Sequence, residues 1–486
     1  MGEGEAIMLL SDLICGAGHC NIIGNIDGVE VTGICYNSLK VKKGDIFVAV
    51  RGFNTDGHKY IDNAVANGAV AVVVEDERED LTVPQIVFEN TRITLALLSA
   101  KFFGFPADKL KLIGVTGTNG KTTVTYLVKT ILEKQGYKVG LIGTNQNMVG
   151  NMVLKSERTT PESLELHELF SIMAREGVEY VVMEISSHSL ELNRVHGCDF
   201  EVGAFTNLTQ DHLDFHKTMD NYVKTKSRLF SMCKRGVINI DDEYAQKLVD
   251  GATCPIKYYG VNKDCDYRAT DIAYNEKSVE FDTDGCRVCL PIPGKFSVYN
   301  ALCAIGICKE LGFDTEKCAD ALKCVNGVKG RAEVVDICAP YTVMIDYAHT
   351  PDGIENIIGA VKGFCKGRVI TLFGCGGDRD RTKRPIMGEM AGRLSDICVV
   401  TSDNPRSENP ASIIEDIIVG IDKTGVKYEV VENRREAIGY AMSIAQADDV
   451  VLLLGKGHET YQILGDGVID FDERKIVAEF FEKSCK

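Results

Sequence analysis

Seven residues, Gly117-Thr118-Asn119-Gly120-Lys121-Thr122-Thr123, combine two glycines, hydroxyls and a cation in a spacing that suits phosphate. Glycines let backbone N–H groups converge on an anion, and Lys121 adds a full positive charge. Thr122 offers a hydroxyl where a phosphate-bound Mg2+ takes an oxygen ligand. The common G-x-x-x-x-G-K-[ST] pattern would need glycine at position 115, which is valine here, so this is a shorter G-x-x-G-K-T loop. Three further sets of residues could do chemistry. Glu184 ends an apolar run, where a carboxylate beside a phosphate loop holds Mg2+ or else carries a costly buried charge. Asp211, His212, Asp214 and His216 crowd a few residues and point to a phosphate or metal site. Lys224, Lys226 and Arg228 lie on one helical stretch, which reads equally as a solvated basic face or as part of that site.

These groups need strands and helices to aim them. Leu112–Val115 reads as a buried strand entering the loop. Val124, Leu127, Val128, Ile131 and Leu132 mark one face of a helix that leaves it and stops near Gly136. Ahead of this unit, apolar runs at 46–50, 69–74 and 85–88, with an amphipathic segment at 60–67, describe a small α/β domain. Its loop Arg51–Gly57 reads as either a ligand loop or an ordinary turn. Asp241-Asp242-Glu243 reads as a solvated turn, and residues 264–290 as β-rich. Towards the C-terminus, strands at 342–345, 369–373, 398–400 and 450–454 alternate with helices, which implies a parallel doubly wound sheet. Ligands of such sheets bind outside the strand C-termini. The loops there, Asp346–His349, Gly374–Asp380, Ser402–Arg406 and Gly455–Glu459, bring Arg379, Arg381, Arg406 and Lys456 to a carboxylate- or phosphate-binding surface.

The fold class is therefore α/β in three domains. Residues 1–105 form a small N-terminal domain, 106–330 a central P-loop ATPase-like domain, and 331–486 a C-terminal Rossmann-like domain. At 486 residues the chain is too long for one core, and 45% hydrophobic residues suffice for several. A net charge of −16 argues against nucleic acid or anionic membrane as a partner. No run of about 18–20 apolar residues suggests a membrane span, and residues 1–18 do not read as a signal peptide, so a cytoplasmic location is expected. The eighteen cysteines are scattered through apolar segments, and the single C-x-x-C, Cys286 to Cys289, has no second pair at zinc spacing. Reduced, structural thiols are the expectation.

The segments T-G-T-N-G-K-T-T, M-E-I-S-S-H, N-L-T-Q-D-H-L-D-F-H, D-Y-A-H-T-P, G-C-G-G-D-R-D and G-K-G-H-E together resemble the Mur ligase family, from about residue 36 to the C-terminus. The resemblance implies an ATP- and Mg2+-dependent amide ligation of peptidoglycan synthesis, and because the site residues are split among domains a monomer is expected. Its substrates would be UDP-MurNAc-L-Ala-D-Glu and meso-diaminopimelate. In such a reaction a carboxylate is phosphorylated by ATP and the acyl phosphate is then attacked by an amine. It implies that Gly117, Thr118, Asn119, Gly120, Lys121, Thr122 and Thr123 cradle ATP, with Asn300, Arg331 and Asp346 also on nucleotide positions. It assigns Lys121, Glu184, His212 and Lys226 to catalysis, and Thr122, Glu184, His212 and Lys226 to metal. Lys226 would be carried as an N6-carboxylysine, which turns a cation into an anionic oxygen ligand. Ser38, Phe53, Asn54, Thr55, Thr159, Thr160, Ser186 and Arg194 fall on nucleotide-sugar positions. Asn37 and Leu39 stand where the family carries an acid and an arginine around Ser38.

For the amino acid, Asp403, Asn404, Pro405 and Arg406 match the diaminopimelate motif, with Arg379, Gly455 and Glu459 on contact positions. The chemistry agrees: diaminopimelate has a distal carboxylate that an arginine fork can grip and that lysine lacks. Two same-fold ligases are the alternatives, one adding L-lysine and one resembling folylpolyglutamate synthetase. A nucleotide-binding regulator without turnover is a third reading. Intact Lys121, Thr122, Glu184 and His212 weigh against it.

Overall fold

The computed structural model describes residues 7–52, 55–275, 277–325 and 327–484. They form two compact units. The first gathers the chain up to Gly114 with Tyr137–Glu201 and Met232–Lys234; the second holds Val115–Gly136, Val202–Ser231 and the chain from Arg235 onward.

In the first unit a five-stranded sheet runs in the order Asn21–Ile23, Gln85–Val87, Ala71–Val74, Asp45–Val48, Gly33–Cys35. Only the first pair is antiparallel. The central strands read as unbroken apolar runs because both faces are covered. Ile46, Val48, Ala71 and Val73 pack with Leu95 and Leu98 of the Thr91–Phe102 helix. The alternate residues Phe47, Ala49, Val72 and Val74 pack with Ile61 and Ala64 of the Ile61–Ala66 helix. Asn90 starts the Thr91–Phe102 helix by accepting from Arg92 N and Ile93 N at 3.0 and 3.1 Å. Elsewhere in this unit Val139–Ile142 and Tyr180–Glu184 pair in parallel, and the hairpin Asn147–Val149/Met152–Leu154 lies beside the former.

In the second unit the helix Lys121–Lys134 packs on the helix Lys295–Glu310. Strands Phe200–Phe205, Gly236–Asn239 and Ile256–Gly260 run parallel. Asp241 and Asp242, expected in a solvated turn, are structural. Asp242 Oδ2 accepts from Leu208 N at 2.8 Å, and Asp241 accepts from the backbone of Val261, Asn262 and Lys263. The antiparallel strands Thr270–Tyr274, Val279–Thr283 and Cys286–Leu290 fill the β-rich segment.

The C-terminal sheet is six-stranded, in the order Glu333–Val335, Thr342–Asp346, Val450–Leu454, Val369–Phe373, Ile397–Val400, Lys427–Val430. All pairs but the first are parallel. Val343, Ile345, Ile370, Leu372, Val451 and Leu453 bury one face against the helices Arg434–Ser443 and Glu473–Ser484. The strand Lys427–Val430 escapes the sequence pattern because it is a mostly exposed edge of mixed polarity. The hairpin Tyr461–Leu464/Gly467–Asp470 escapes it for the same reason.

Among the described residues no helix is long and apolar enough to cross a membrane. Among the described residues seventeen cysteines form no disulfide, and eight of them are buried.

Candidate active site

The phosphate loop lies wholly within the second unit. The strand Lys111–Thr116 delivers it, and Gly120, at φ +86°, caps the helix Lys121–Lys134. Gly117 has φ +143°, and a side chain there would collide with Thr206 Oγ1. One at Gly120 would meet Asn300 Oδ1 at 2.5 Å. Both glycines are thus required by conformation and by close approach. Thr206 and Asn207 pin the loop from beneath: Thr206 Oγ1 donates to Asn119 O at 2.6 Å, and Asn119 N donates to Asn207 Oδ1 at 2.9 Å. Lys121 Nζ folds back onto the carbonyls of Thr118 and Gly117 at 2.7 and 3.0 Å. Asn119 Nδ2 donates to Asp352 Oδ2 at 2.6 Å.

Three residues distant in sequence, Asn300, Arg331 and Asp346, share a recess with this loop. Arg331 Nη2 donates to Thr122 Oγ1 at 3.0 Å, and its guanidinium lies 4.8 Å from the centre of the Tyr347 ring. Asp346 accepts from Ala332 N and Ala348 N at 2.7 Å each. Asn300, Arg331, Asp346 and Tyr347 line one recess together with Asn119, Gly120 and Thr123.

Lys226 is 1% exposed, whereas Lys224 two residues earlier is exposed. The stretch is therefore not a uniform solvated face. Lys226 Nζ donates to Gly117 O at 2.8 Å and lies 4.7 Å from the centre of the Tyr222 ring. Burial, and then the charge of Lys121, hold its amine well below the usual lysine range. His216 stacks on Tyr222 at 4.9 Å, while Asp214 is exposed. His212, in the left-handed conformation at φ +55°, has Nε2 3.4 Å from Asp211 Oδ2. Burial alone would push the Asp211 carboxyl up, but His212, Lys383 and His349 together hold it below the usual range. Among the described residues no group of three or more His, Cys, Asp or Glu side chains forms a metal cluster.

A second set of loops in this unit follows the C-terminal ends of the parallel strands. Arg406, at φ +54°, donates through Nη1 to Gly377 O at 2.7 Å. Its Nη1 and Arg379 Cγ both lie within 4 Å of where a Gly376 side chain would start, so the two arginines converge there. Burial and the neighbouring Arg379 pull the pKa of Arg406 down. Asp403 and Asn404 are buried, and the Tyr461–Leu464 strand latches them. Gln462 Nε2 donates to Asp403 O at 2.6 Å, and Ile463 N to Asn404 Oδ1 at 3.0 Å. A side chain on Gly455 would collide with the Asp403 carboxylate. Glu459 accepts from Asn404 Nδ2 at 2.9 Å and from Lys456 Nζ at 3.1 Å.

Thr159, Thr160, Glu184, Ser186 and Arg194 cluster in the first unit. Buried Glu184 accepts from Thr144 N at 2.9 Å and from Thr144 Oγ1 at 3.0 Å, and Thr159 Oγ1 is 3.0 Å from Thr144 Oγ1. Thr160 Oγ1 donates to Glu184 O at 2.7 Å and accepts from Ser186 N at 3.1 Å. Arg194 Nη1 donates to Thr160 O at 3.1 Å. Its Nη2 pairs with Glu162 at 2.9 Å, which also faces Arg158 at 3.2 Å and Arg92 at 3.7 Å. Sequence reasoning passed over Glu162, because an acid just ahead of a helix reads as an ordinary first-turn residue. Ser38 is buried, and the capping oxygen of Asn37 accepts from Leu39 N at 3.1 Å. Beside it opens a recess of about 930 Å3 lined by Tyr36, Asn37, Lys40, Lys43, Lys155 and Arg158 among others. Thr55 is exposed, with its hydroxyl 3.2 Å from Tyr60 Oη; Phe53 and Asn54 lie outside the described residues.

A glycine-bounded phosphate loop on a parallel α/β sheet, followed by a second parallel sheet rimmed with arginine and carboxylate, is the build of an ATP-dependent ligase. The chain belongs to the Mur ligase family. Residues 30–103 match the "Mur ligase family, catalytic domain", 115–308 the "Mur ligase middle domain" and 330–457 the "Mur ligase, glutamate ligase domain". A UDP-N-acetylmuramoyl-L-alanyl-D-glutamate–2,6-diaminopimelate ligase of Caldanaerobacter subterraneus subsp. tengcongensis is 52% identical, over 99% of this chain and all of its own. One of the same name from Clostridioides difficile is 43% identical, over 98% of this chain and all of its own. A solved structure bearing that enzyme name is 32% identical with a TM-score of 0.65, covering 94% of this chain and 96% of its own. A Mycobacterium tuberculosis folylpolyglutamate synthase, 16% identical with a TM-score of 0.63 and covering 74% of this chain and 92% of its own, shares the fold.

Proposed function

We propose that this chain joins meso-diaminopimelate to UDP-N-acetylmuramoyl-L-alanyl-D-glutamate, with conversion of ATP to ADP and phosphate. The observation that carries this reading is the near-full-length likeness to relatives named for that reaction, at 43–52% identity. The convergence of Arg406 with Arg379 supports it, since a second carboxylate is what separates diaminopimelate from lysine.

In the reaction an oxygen of the D-glutamate side-chain carboxylate attacks the γ-phosphorus of ATP. The bond to the β,γ-bridging oxygen breaks, ADP leaves and an acyl phosphate remains. The amine of diaminopimelate then attacks the acyl carbon, loses a proton and expels phosphate. Activation is needed because an oxide is a prohibitive leaving group. Lys121 and the loop N–H groups, from 117 to 123, stabilise charge on the transferring phosphoryl. Asn300, Arg331 and Asp346 bind the nucleotide. Ser38, Phe53, Asn54, Thr55, Thr159, Thr160, Ser186 and Arg194 hold the nucleotide-sugar, and Glu162 orients Arg194. Arg379, Asp403, Asn404, Pro405, Arg406, Gly455 and Glu459 hold the amino acid.

Thr122, His212 and a carbamylated Lys226 would hold a hard divalent cation, and Glu184 is the fourth residue assigned to it. The depressed amine pKa of Lys226 fits the modification, because only a neutral amine adds CO2, releasing a proton to leave an anionic carbamate. The chemistry such a cation would supply there is neutralisation of phosphate charge. The domain division at residues 105 and 330, a monomeric state and a cytoplasmic location complete the proposal.

The test is substrate dependence. Release of ADP and phosphate is expected only when ATP, the nucleotide-dipeptide and meso-diaminopimelate are all present. Equal turnover with L-lysine would remove the assignment of the amine while leaving the ligase.

A further inference from the structure

Lys456 is fully buried, and all three of its ammonium protons are taken. Nζ donates to Asn404 Oδ1 at 2.8 Å, Tyr461 O at 2.9 Å and Glu459 Oε2 at 3.1 Å. A buried ammonium is tolerated only when it is paired and hydrogen-bonded, so this one holds its partners tightly. It also sets the orientation of the Asn404 amide. Asn404 Oδ1 accepts from both Lys456 and Ile463 N, which leaves Nδ2 to face Glu459 Oε2 at 2.9 Å. A flipped amide would press its N–H groups against the ammonium. Asp403 Oδ1 lies 3.8 Å from the same nitrogen, so one cation balances two buried carboxylates.

We infer that Lys456 is a positioning residue of the amino-acid site, presenting Asn404 and Glu459 to the incoming amino acid from behind. This rests on reading these loops as the diaminopimelate site. The charged and titratable groups facing Glu459 are Lys456, Asp403, Arg406, Tyr347 and Tyr461. Burial pushes the Glu459 carboxyl up and Lys456 pulls it down, so loss of the ammonium lets it climb.

The experiment is steady-state kinetics of full-length Lys456→Met and Lys456→Arg across pH. In Lys456→Met, KM for meso-diaminopimelate is expected to rise about ten- to a hundred-fold, the range of a lost hydrogen bond to a charged group. KM for ATP and for the nucleotide-dipeptide should stay unchanged. The acid limb of kcat/KM for diaminopimelate should move to higher pH. Lys456→Arg should keep the wild-type limb. A folded Lys456→Met with unaltered diaminopimelate KM and pH profile overturns the inference, as does failure of both variants to fold. If only Lys456→Met fails to fold and Lys456→Arg keeps the wild-type limb, the inference stands. Wild-type enzyme that needs no diaminopimelate for ATP hydrolysis would instead sink the functional reading itself.

Discussion

The side-chain nitrogen of Lys226 donates to the carbonyl oxygen of Gly117 at 2.8 Å, joining a helix to the phosphate loop across 109 residues of sequence. The lysine is buried, and its amine is held well below its usual range by burial and by Lys121. A permanently charged lysine here would repel both Lys121 and a metal. A carbamate would attract them, and this sets up the first test.

Lys226→Ala should lower kcat by roughly 10²–10³, the cost of losing a preorganised electrostatic group. Added bicarbonate or a short carboxylate should restore part of it. Lys224→Ala, at an exposed position, should turn over normally. Loss of activity in the Lys224 variant with none in the Lys226 variant would reverse the assignment.

Gly117→Ala combines left-handed backbone at φ +143° with a collision against Thr206 Oγ1. Strain of this kind costs about 1–3 kcal/mol. Calorimetric titration with ADP should show nucleotide binding lost, and thermal melting should show reduced stability. Wild-type ADP affinity would mean that the loop does not cradle phosphate.

Arg406→Lys should raise KM for meso-diaminopimelate steeply, because an ammonium cannot replace a bidentate fork. The full loss of a required polar partner reaches on the order of 10⁴ in discrimination. Selectivity for diaminopimelate over L-lysine is the readout, and an unchanged ratio would take Arg406 out of recognition.

Arg434 and Glu473 form an ion pair with both side chains at 0% exposure, and Arg434 also donates to Leu454 O at 2.7 Å. Glu473→Gln leaves a buried guanidinium short of its counter-charge, at a cost of about 3–5 kcal/mol. Denaturant unfolding should show it. The end of the strand that carries the Gly455–Glu459 loop would loosen with it.

His167 lies buried against Phe170 with neither ring nitrogen hydrogen-bonded, and burial lowers its pKa from 6.5 to about 4. The folded chain therefore binds fewer protons here than the unfolded chain between about pH 4 and 6.5. Stability is fully present above that window and is lost as pH falls through it, by about 2 kcal/mol at pH 5. His167→Phe should flatten the melting temperature over this range relative to wild type. An identical pH slope would assign the loss elsewhere.

The phosphate loop, the strands at 369–373 and 450–454 and the four C-terminal loops were legible in the chain itself. Glycine positions, unbroken apolar runs and a 3.6-residue period are local properties, set by backbone sterics and by burial on both sheet faces. The sequence alone therefore determined where phosphate, carboxylate and cation chemistry would sit along the chain. It could not rank Lys224 against Lys226. Two residues apart on a helix they point in different directions, and which direction is inward depends on what packs there. Nor could it find Lys456 at the centre of Asn404 and Glu459, or Glu162 among three arginines. Such pairings join residues up to 70 positions apart, and a charge's partner is decided by distance in space. Tertiary structure settled them because a buried charge persists only where the fold brings its counter-charge within hydrogen-bond reach.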